Sequence, residues 1–233
     1  NFSGSYGLAL ILKKKNYLFV DGRYTVQAKM QSGNSFKIVT LPLNENKINF
    51  NIKDKKIGFD PKLFNEQSIK QLSKKLSIKC IAININLIKI IKVKKNNKNK
   101  IKKFHVLDKS VTGESYFKKI KNLKRNVYKN NLDIMLITAP ENVAWLLNIR
   151  GDDSDFSPIP NCFLIIDKQM RIFLFCDLKK IDIKFKKKFN FINIFVLNEL
   201  ENFIKNIKNK NFLDEKMTCS VFYKNIIKKN NNI

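Results

Sequence analysis

The change of character at Leu147–Asn148 constrains the fold more than any other feature of the chain. Val143-Ala144-Trp145-Leu146-Leu147 is an apolar run that holds the only tryptophan. The run is too short to cross a membrane and suits one or two turns of buried helix, with Trp145 as its anchor. Asn148, Arg150, Gly151, Asp152, Asp153 and Asp155 follow at once, closed by Ser157-Pro158-Ile159-Pro160. Gly151 permits positive φ, and the two prolines fix an extended, non-helical path. The stretch therefore predicts a buried anchor carrying a stiff loop with one guanidinium and several carboxylates. Loops held this way carry function more often than the elements they join. Two readings of Arg150 stand at this point. It grips a ligand, or it pairs with a neighbouring aspartate such as Asp153 and shapes the loop.

The flanks are short strands and helices. Leu8–Leu12 and Tyr17–Val20 read as a hairpin about Lys13–Asn16. Asp21-Gly22 ends the second strand, and Asp21 caps a helix starting at Arg23. Phe36–Leu41 and Lys56–Phe59 read as strands, Leu63–Leu76 as an amphipathic helix, and Ile78–Ile90 as containing a strand. Lys92–Lys103 is a like-charged, asparagine-rich run that self-repels, and a domain boundary is expected there. Thr112–Ser115 starts a helix running to about Tyr128, with Tyr116, Ile120, Leu123 and Val127 on one face. Asp133–Ile137 is a strand. Cys162–Ile166 and Arg171–Phe175 form a hairpin around Asp167-Lys168. Phe191–Val196 reads as a strand, Leu200–Ile207 as a helix and Cys219–Phe222 as a strand.

Composition narrows the function. With 233 residues, 44% apolar content and 19 Phe, the chain holds a real core and is not globally disordered. The net charge of +27 invites a nucleic-acid partner. The excess is mostly lysine, accompanied by Asn and Ile, which share AT-rich codons, and it is scattered over every segment. No specific nucleic-acid binding is expected from such a field. Cys80, Cys162, Cys176 and Cys219 are widely spaced and His105 is the only histidine, so a Cys/His zinc site is not expected. Three of the four thiols sit in strand-like apolar contexts, and free thiols suit a cytoplasmic location. Phe2–Gly7 lacks the Lys-Ser/Thr pair of a phosphate loop. Asp152, Asp153 and Asp155 lack the glycine and closing Glu of a calcium loop, so no metal site is expected there.

Four motifs carry a resemblance. Asn142–Pro160 resembles the "aWLlNiRG-D---nP" signature of Xaa-Pro aminopeptidases, in the creatinase/prolidase superfamily of metallopeptidases. Phe2–Gly7 with Asp21-Gly22-Arg23-Tyr24 resembles "FTGSaG … lfvDGRYt-qA". Ile57–Pro61 resembles "iGfDp", and Thr112–Ser115 with its helix resembles "ytGes--eKi--ir". The family's Asp-Arg-Pro-like linker segment is not legible in Lys92–Lys103.

The resemblance implies an α/β fold of two creatinase N-terminal-like domains, each a mixed sheet flanked by helices. The expected division is 1–104, truncated at its start, a linker at 105–111, and 112–233, incomplete at its end. The chain then reads as the non-catalytic N-terminal region of an enzyme that removes the residue before proline. The family's two divalent ions, Mn or Zn, sit on two Asp, one His and two Glu of a C-terminal pita-bread catalytic domain, so no cofactor and no catalytic residue is expected here. Expected partners are that domain, peptide substrate contacted by Arg150, and a second copy in a homodimer, with no membrane. A stand-alone α/β binding module and a basic nucleic-acid-binding protein are the alternatives.

Overall fold

The computed structural model describes residues 2–41, 52–83, 85, 101–154, 157–206, 211–213, 217–220 and 222. The chain divides into two compact units, Asn1–Lys53 and Asp54–Ile233. Most of the Lys92–Lys103 run lies outside the described residues, as do Asp155 and the 86–90 end of the expected strand region.

The first unit is a three-stranded sheet with β2 in the middle. β1 (Gly7–Leu10) runs antiparallel to β2 (Tyr17–Asp21), and β3 (Lys37–Leu41) runs parallel to it. A parallel neighbour requires a crossover, and α1 (Thr25–Ser32) supplies it. Asp21 begins this crossover as expected. Its Oδ1 accepts the Arg23 backbone N–H at 3.0 Å and Arg23 Nε at 2.8 Å. The first turn, Gly22–Tyr24, is a 3-10 turn before the α-helix proper. Leu18, Val20 and Ala28 form the core, with Phe2, Tyr24, Phe36 and Ile38 packed on it.

The second unit opens with β4 (Lys56–Phe59) and β5 (Lys79–Ala82), paired in parallel and joined by α2 (Glu66–Leu76). Asn65 caps α2, accepting the Ser68 N–H at 2.7 Å. Then come β6 (His105–Val106), α3 (Lys109–Thr112) and α4 (Tyr116–Lys129), the last capped by Ser115. β7 (Ile134–Ile137), α5 (Pro140–Leu147), β8 (Ile149–Arg150), β9 (Cys162–Asp167) and β10 (Ile172–Cys176) follow. The described elements close with α6 (Ile183–Lys188), β11 (Ile192–Val196), α7 (Glu199–Asn206) and β12 (Asn211–Leu213).

Five of these strands form one mixed sheet in the order β11-β10-β9-β7-β12, so the mixed α/β class expected from sequence is the class observed. β9 is antiparallel to both its neighbours, while β11 and β12 pair in parallel at the two edges. The strand period of two sorts the side chains. Cys162, Leu164, Ile166, Ile172, Leu174 and Cys176 share one core with Ile120, Val143, Leu147 and Phe185. Ile165, Phe173 and Phe175 point the other way, into a core with Leu200, Ile204 and Phe222. There Phe175 lies 5.6 Å from Phe195 and 5.4 Å from Phe203 between ring centroids, within the range of favourable aromatic pairs.

Two sequence expectations are corrected. Cys219–Phe222 is not a strand, since Ser220 and Phe222 are helical. The Ser220 N–H donates to Phe64 O at 2.7 Å and its hydroxyl is paired with Glu66, which draws this backbone away from a ladder. A strand the sequence reading did not mark, Asn211–Leu213, pairs with β7. Trp145 is the second correction. It is 58% exposed, while Val143, Ala144, Leu146 and Leu147 around it are buried.

Burial also fixes thiol chemistry. Cys162 and Cys176 face each other across β9 and β10 and are fully buried. Burial pushes the Cys176 thiol up to about 12 and the Cys162 thiol higher still. The thiolate is the reactive form, so both should be inert in the folded chain. An Ellman titration of native protein should leave these two unlabelled and count them only after denaturation. Labelling of either in the folded state at the rate of half-buried Cys80 would contradict the packing.

Candidate functional site

α5 delivers the Arg150 loop, and its own sequence explains how. Pro140 occupies the first helical position, where its missing N–H costs nothing, and Glu141 lies in the favourable first turn. The helix stops at Asn148, which takes the left-handed conformation at φ 53°. Its N–H returns to Ala144 O and Trp145 O, closing the helix end.

Asn148 is held on every side. Its Nδ2 donates to Thr112 Oγ1 at 2.9 Å and to Glu114 O at 2.8 Å. Its Oδ1 accepts from Lys119 Nζ at 2.7 Å, and that ammonium also donates to Trp145 O at 2.9 Å. The same Nζ lies 4.3 Å from the centre of the Trp145 ring. Two oxygens and a π-face thus surround a lysine that is only 4% exposed. Desolvation lowers the Lys119 pKa; the Glu114 carboxylate opposes this and the Arg150 charge reinforces it. Sequence reading passed over Lys119. The signal was its position on α4, on the same face as Tyr116, Ile120 and Leu123, where a lysine needs a buried partner.

Ile149 and Arg150 then pair antiparallel with β6, setting His105 opposite Arg150. Leu107 N–H donates to Asn148 O at 2.8 Å, extending the ladder. His105, which sequence alone placed in a linker, is therefore part of a short strand against the loop. Beyond Arg150 the chain folds back, with Gly151 N–H donating to Pro158 O at 2.9 Å. Gly151 is not among the glycines of positive φ, contrary to expectation. Its role is close approach, because an added Cβ would sit 2.9 Å from Pro160 Cα.

The carboxylates are committed elsewhere. Asp153 pairs with Lys180, and its Oδ2 accepts the Asn161 N–H at 2.8 Å. Asp152 lies 3.7 Å from Lys102. Arg150 donates from Nη1 to Ile149 O at 2.8 Å and has no carboxylate partner among the described residues. The Arg150–Asp153 pair considered from sequence is thus not formed. Half-buried and beside buried Lys119, the guanidinium has its remaining donors for a carboxylate or a carbonyl. No group of three His, Cys, Asp or Glu side chains able to hold a metal occurs among the described residues.

Residues 97–233, more than half the chain, match the model of the creatinase/prolidase N-terminal domain. The chain belongs to the creatinase/prolidase N-terminal domain family. Among related sequences, it is 28% identical over 203 residues to Xaa-Pro aminopeptidase 1 of Dictyostelium discoideum, covering 80% of this chain and 32% of that protein. It is 30% identical over 201 residues to aminopeptidase P1 of Arabidopsis thaliana, covering 83% of this chain and 31% of that one. Among solved structures, an X-prolyl aminopeptidase from Caenorhabditis elegans superposes with a TM-score of 0.73 at 26% identity, over 88% of this chain and 35% of that chain. That protein is described as a cytosolic enzyme with a di-nuclear active site. This creatinase/prolidase N-terminal chain spans about a third of the length of the curated relatives it matches. No described helix is long and apolar enough to cross a membrane.

Proposed function

We propose that this chain is the non-catalytic N-terminal region of a metal-dependent, cytoplasmic Xaa-Pro aminopeptidase. It supports homodimer assembly and walls off the active-site entrance, so that only peptides with a free N-terminus enter. The observation that carries this reading is the superposition of nearly the whole chain on a minor part of an X-prolyl aminopeptidase. In this reading two Mn or Zn ions sit in a C-terminal catalytic domain, where they would activate water for peptide-bond hydrolysis. In the same reading Arg150 meets peptide substrate.

The test uses the chain alone. Assayed on Xaa-Pro peptides with added Mn²⁺ or Zn²⁺, it should release no N-terminal residue. Metal-dependent release at a rate that follows this polypeptide through purification would overturn the proposal.

The same reading divides the chain at 1–104 and 112–233, a later boundary than the 53/54 break between the compact units; what supports it is the family match, which begins at residue 97, inside the lysine-asparagine run. Limited proteolysis should cut first within 92–103, because a self-repelling run has little apolar surface to bury. First cuts within 8–20 would contradict that division.

A further inference from the structure

α4 uses two faces, and the described residues cover only one. Ile120 and Val127 enter the core. Phe117, Lys121, Lys124 and Tyr128 follow at helical spacing on another face, aromatic at both ends and cationic between. Phe117 is 68% exposed and Tyr128 is 80% exposed. They border a groove of about 690 Å³ that Ile120, Met170 and Phe191 also line. Three cations rim it, Lys121, Lys124 and Arg125, and no carboxylate does among the described residues. None of the three takes part in an ion pair among the described residues, and Tyr116–Lys129 contains no acidic residue at all. At 1.5 Å per residue, the aromatic ends stand about 16 Å apart, a span of three helical turns.

We propose that this groove is a docking site for an acidic amphipathic segment of a partner protein. The segment presents apolar side chains at its two ends, over Phe117 and Tyr128, and carboxylates between them, over Lys121 and Lys124. Charge complementarity identifies the occupant. Unpaired cations set between aromatic anchors reward carboxylates flanked by apolar residues, and the aliphatic floor of Ile120 and Met170 favours such a peptide over a phosphate backbone. This surface is distinct from the Arg150 loop and stands whether or not the chain belongs to a peptidase.

The test measures fluorescence anisotropy of three labelled probes at about 0.15 M salt, where exposed charges are screened beyond about 8 Å. The first is a helical peptide with leucine at i and i+11 and glutamate at i+4 and i+7. The others are polyglutamate and single-stranded oligothymidine of equal charge. The helical peptide should bind most tightly. The double variants Phe117→Ser/Tyr128→Ser and Lys121→Glu/Lys124→Glu should each weaken it by about tenfold or more, as loss of interface anchors does. Lys184→Glu/Lys187→Glu, an equal charge change on exposed lysines of α6, should alter it less than about twofold. Equal binding of polyglutamate would reduce the groove to diffuse charge, and tighter binding of oligothymidine would make it a nucleic-acid surface. Either result, or unchanged binding by both groove variants, overturns the proposal.

Discussion

Lys119→Met should lower the stability of the folded chain by about 2–4 kcal/mol, the range for leaving one buried acceptor without its charged donor and weakening a second, part-buried one. Methionine keeps most of the aliphatic stem, so the change isolates the polar loss from a cavity. Asn148 Oδ1 loses its donor at 2.7 Å, Trp145 O loses the ammonium at 2.9 Å and keeps the Asn148 N–H, and the indole loses its cation. Relief of lysine desolvation offsets part of this, which is why the lower end of the range is included. For a chain of this size the melting temperature should fall by roughly 5–15 °C. A thermal melt of the variant within about 1 °C of wild type, a shift too small for such a loss, would show that the Asn148 turn does not depend on this ammonium.

The second large effect concerns activity. If the chain is part of the proposed Xaa-Pro aminopeptidase, Arg150→Ala in that full-length protein should reduce kcat/KM on Xaa-Pro peptides by about 1.5–3 kcal/mol, or roughly ten- to 150-fold, the range for a charged hydrogen bond. Metal content should stay unchanged, because no ligand is removed. Asp153→Asn provides the contrast. Asp153 pairs with Lys180, so its loss should lower thermal stability without reproducing the kinetic defect of Arg150→Ala. The two substitutions should therefore add in a double-mutant cycle. Coupling between them, or unchanged kinetics for Arg150→Ala on short and long peptides, would remove the substrate-binding role.

The local grammar of the chain was legible where one element satisfies itself. Asp21 was readable as a cap because an aspartate before a helix start accepts its free N–H groups. The β9–β10 hairpin was readable because two apolar runs flank Asp167-Lys168. Trp145 breaks the expectation that a five-residue apolar run is buried all round. At 100° per residue, Trp145 lies about 200° from Val143, opposite the arc shared by Val143, Ala144, Leu146 and Leu147. The helix period already assigned it outward.

What was not legible depends on pairings distant in sequence. Nothing local marks Asn211–Leu213 as the neighbour of β7, or His105 as the partner of Arg150. The candidate site shows the same limit. Arg150 stood out in the sequence, but its freedom from Asp153 follows only once Lys180 arrives from the segment after β10 and takes that carboxylate. Lys119 reaches Asn148 across 29 residues, a contact that only the packing of α4 on α5 creates.

The central claim is that this chain is the N-terminal part of a metalloaminopeptidase, and sequencing the transcript beyond Ile233 tests it most directly. The account predicts an in-frame continuation encoding a domain with two Asp, one His and two Glu as metal ligands. A stop codon directly after Ile233, or a continuation lacking that set, would contradict it and favour a binding module that works without an enzyme.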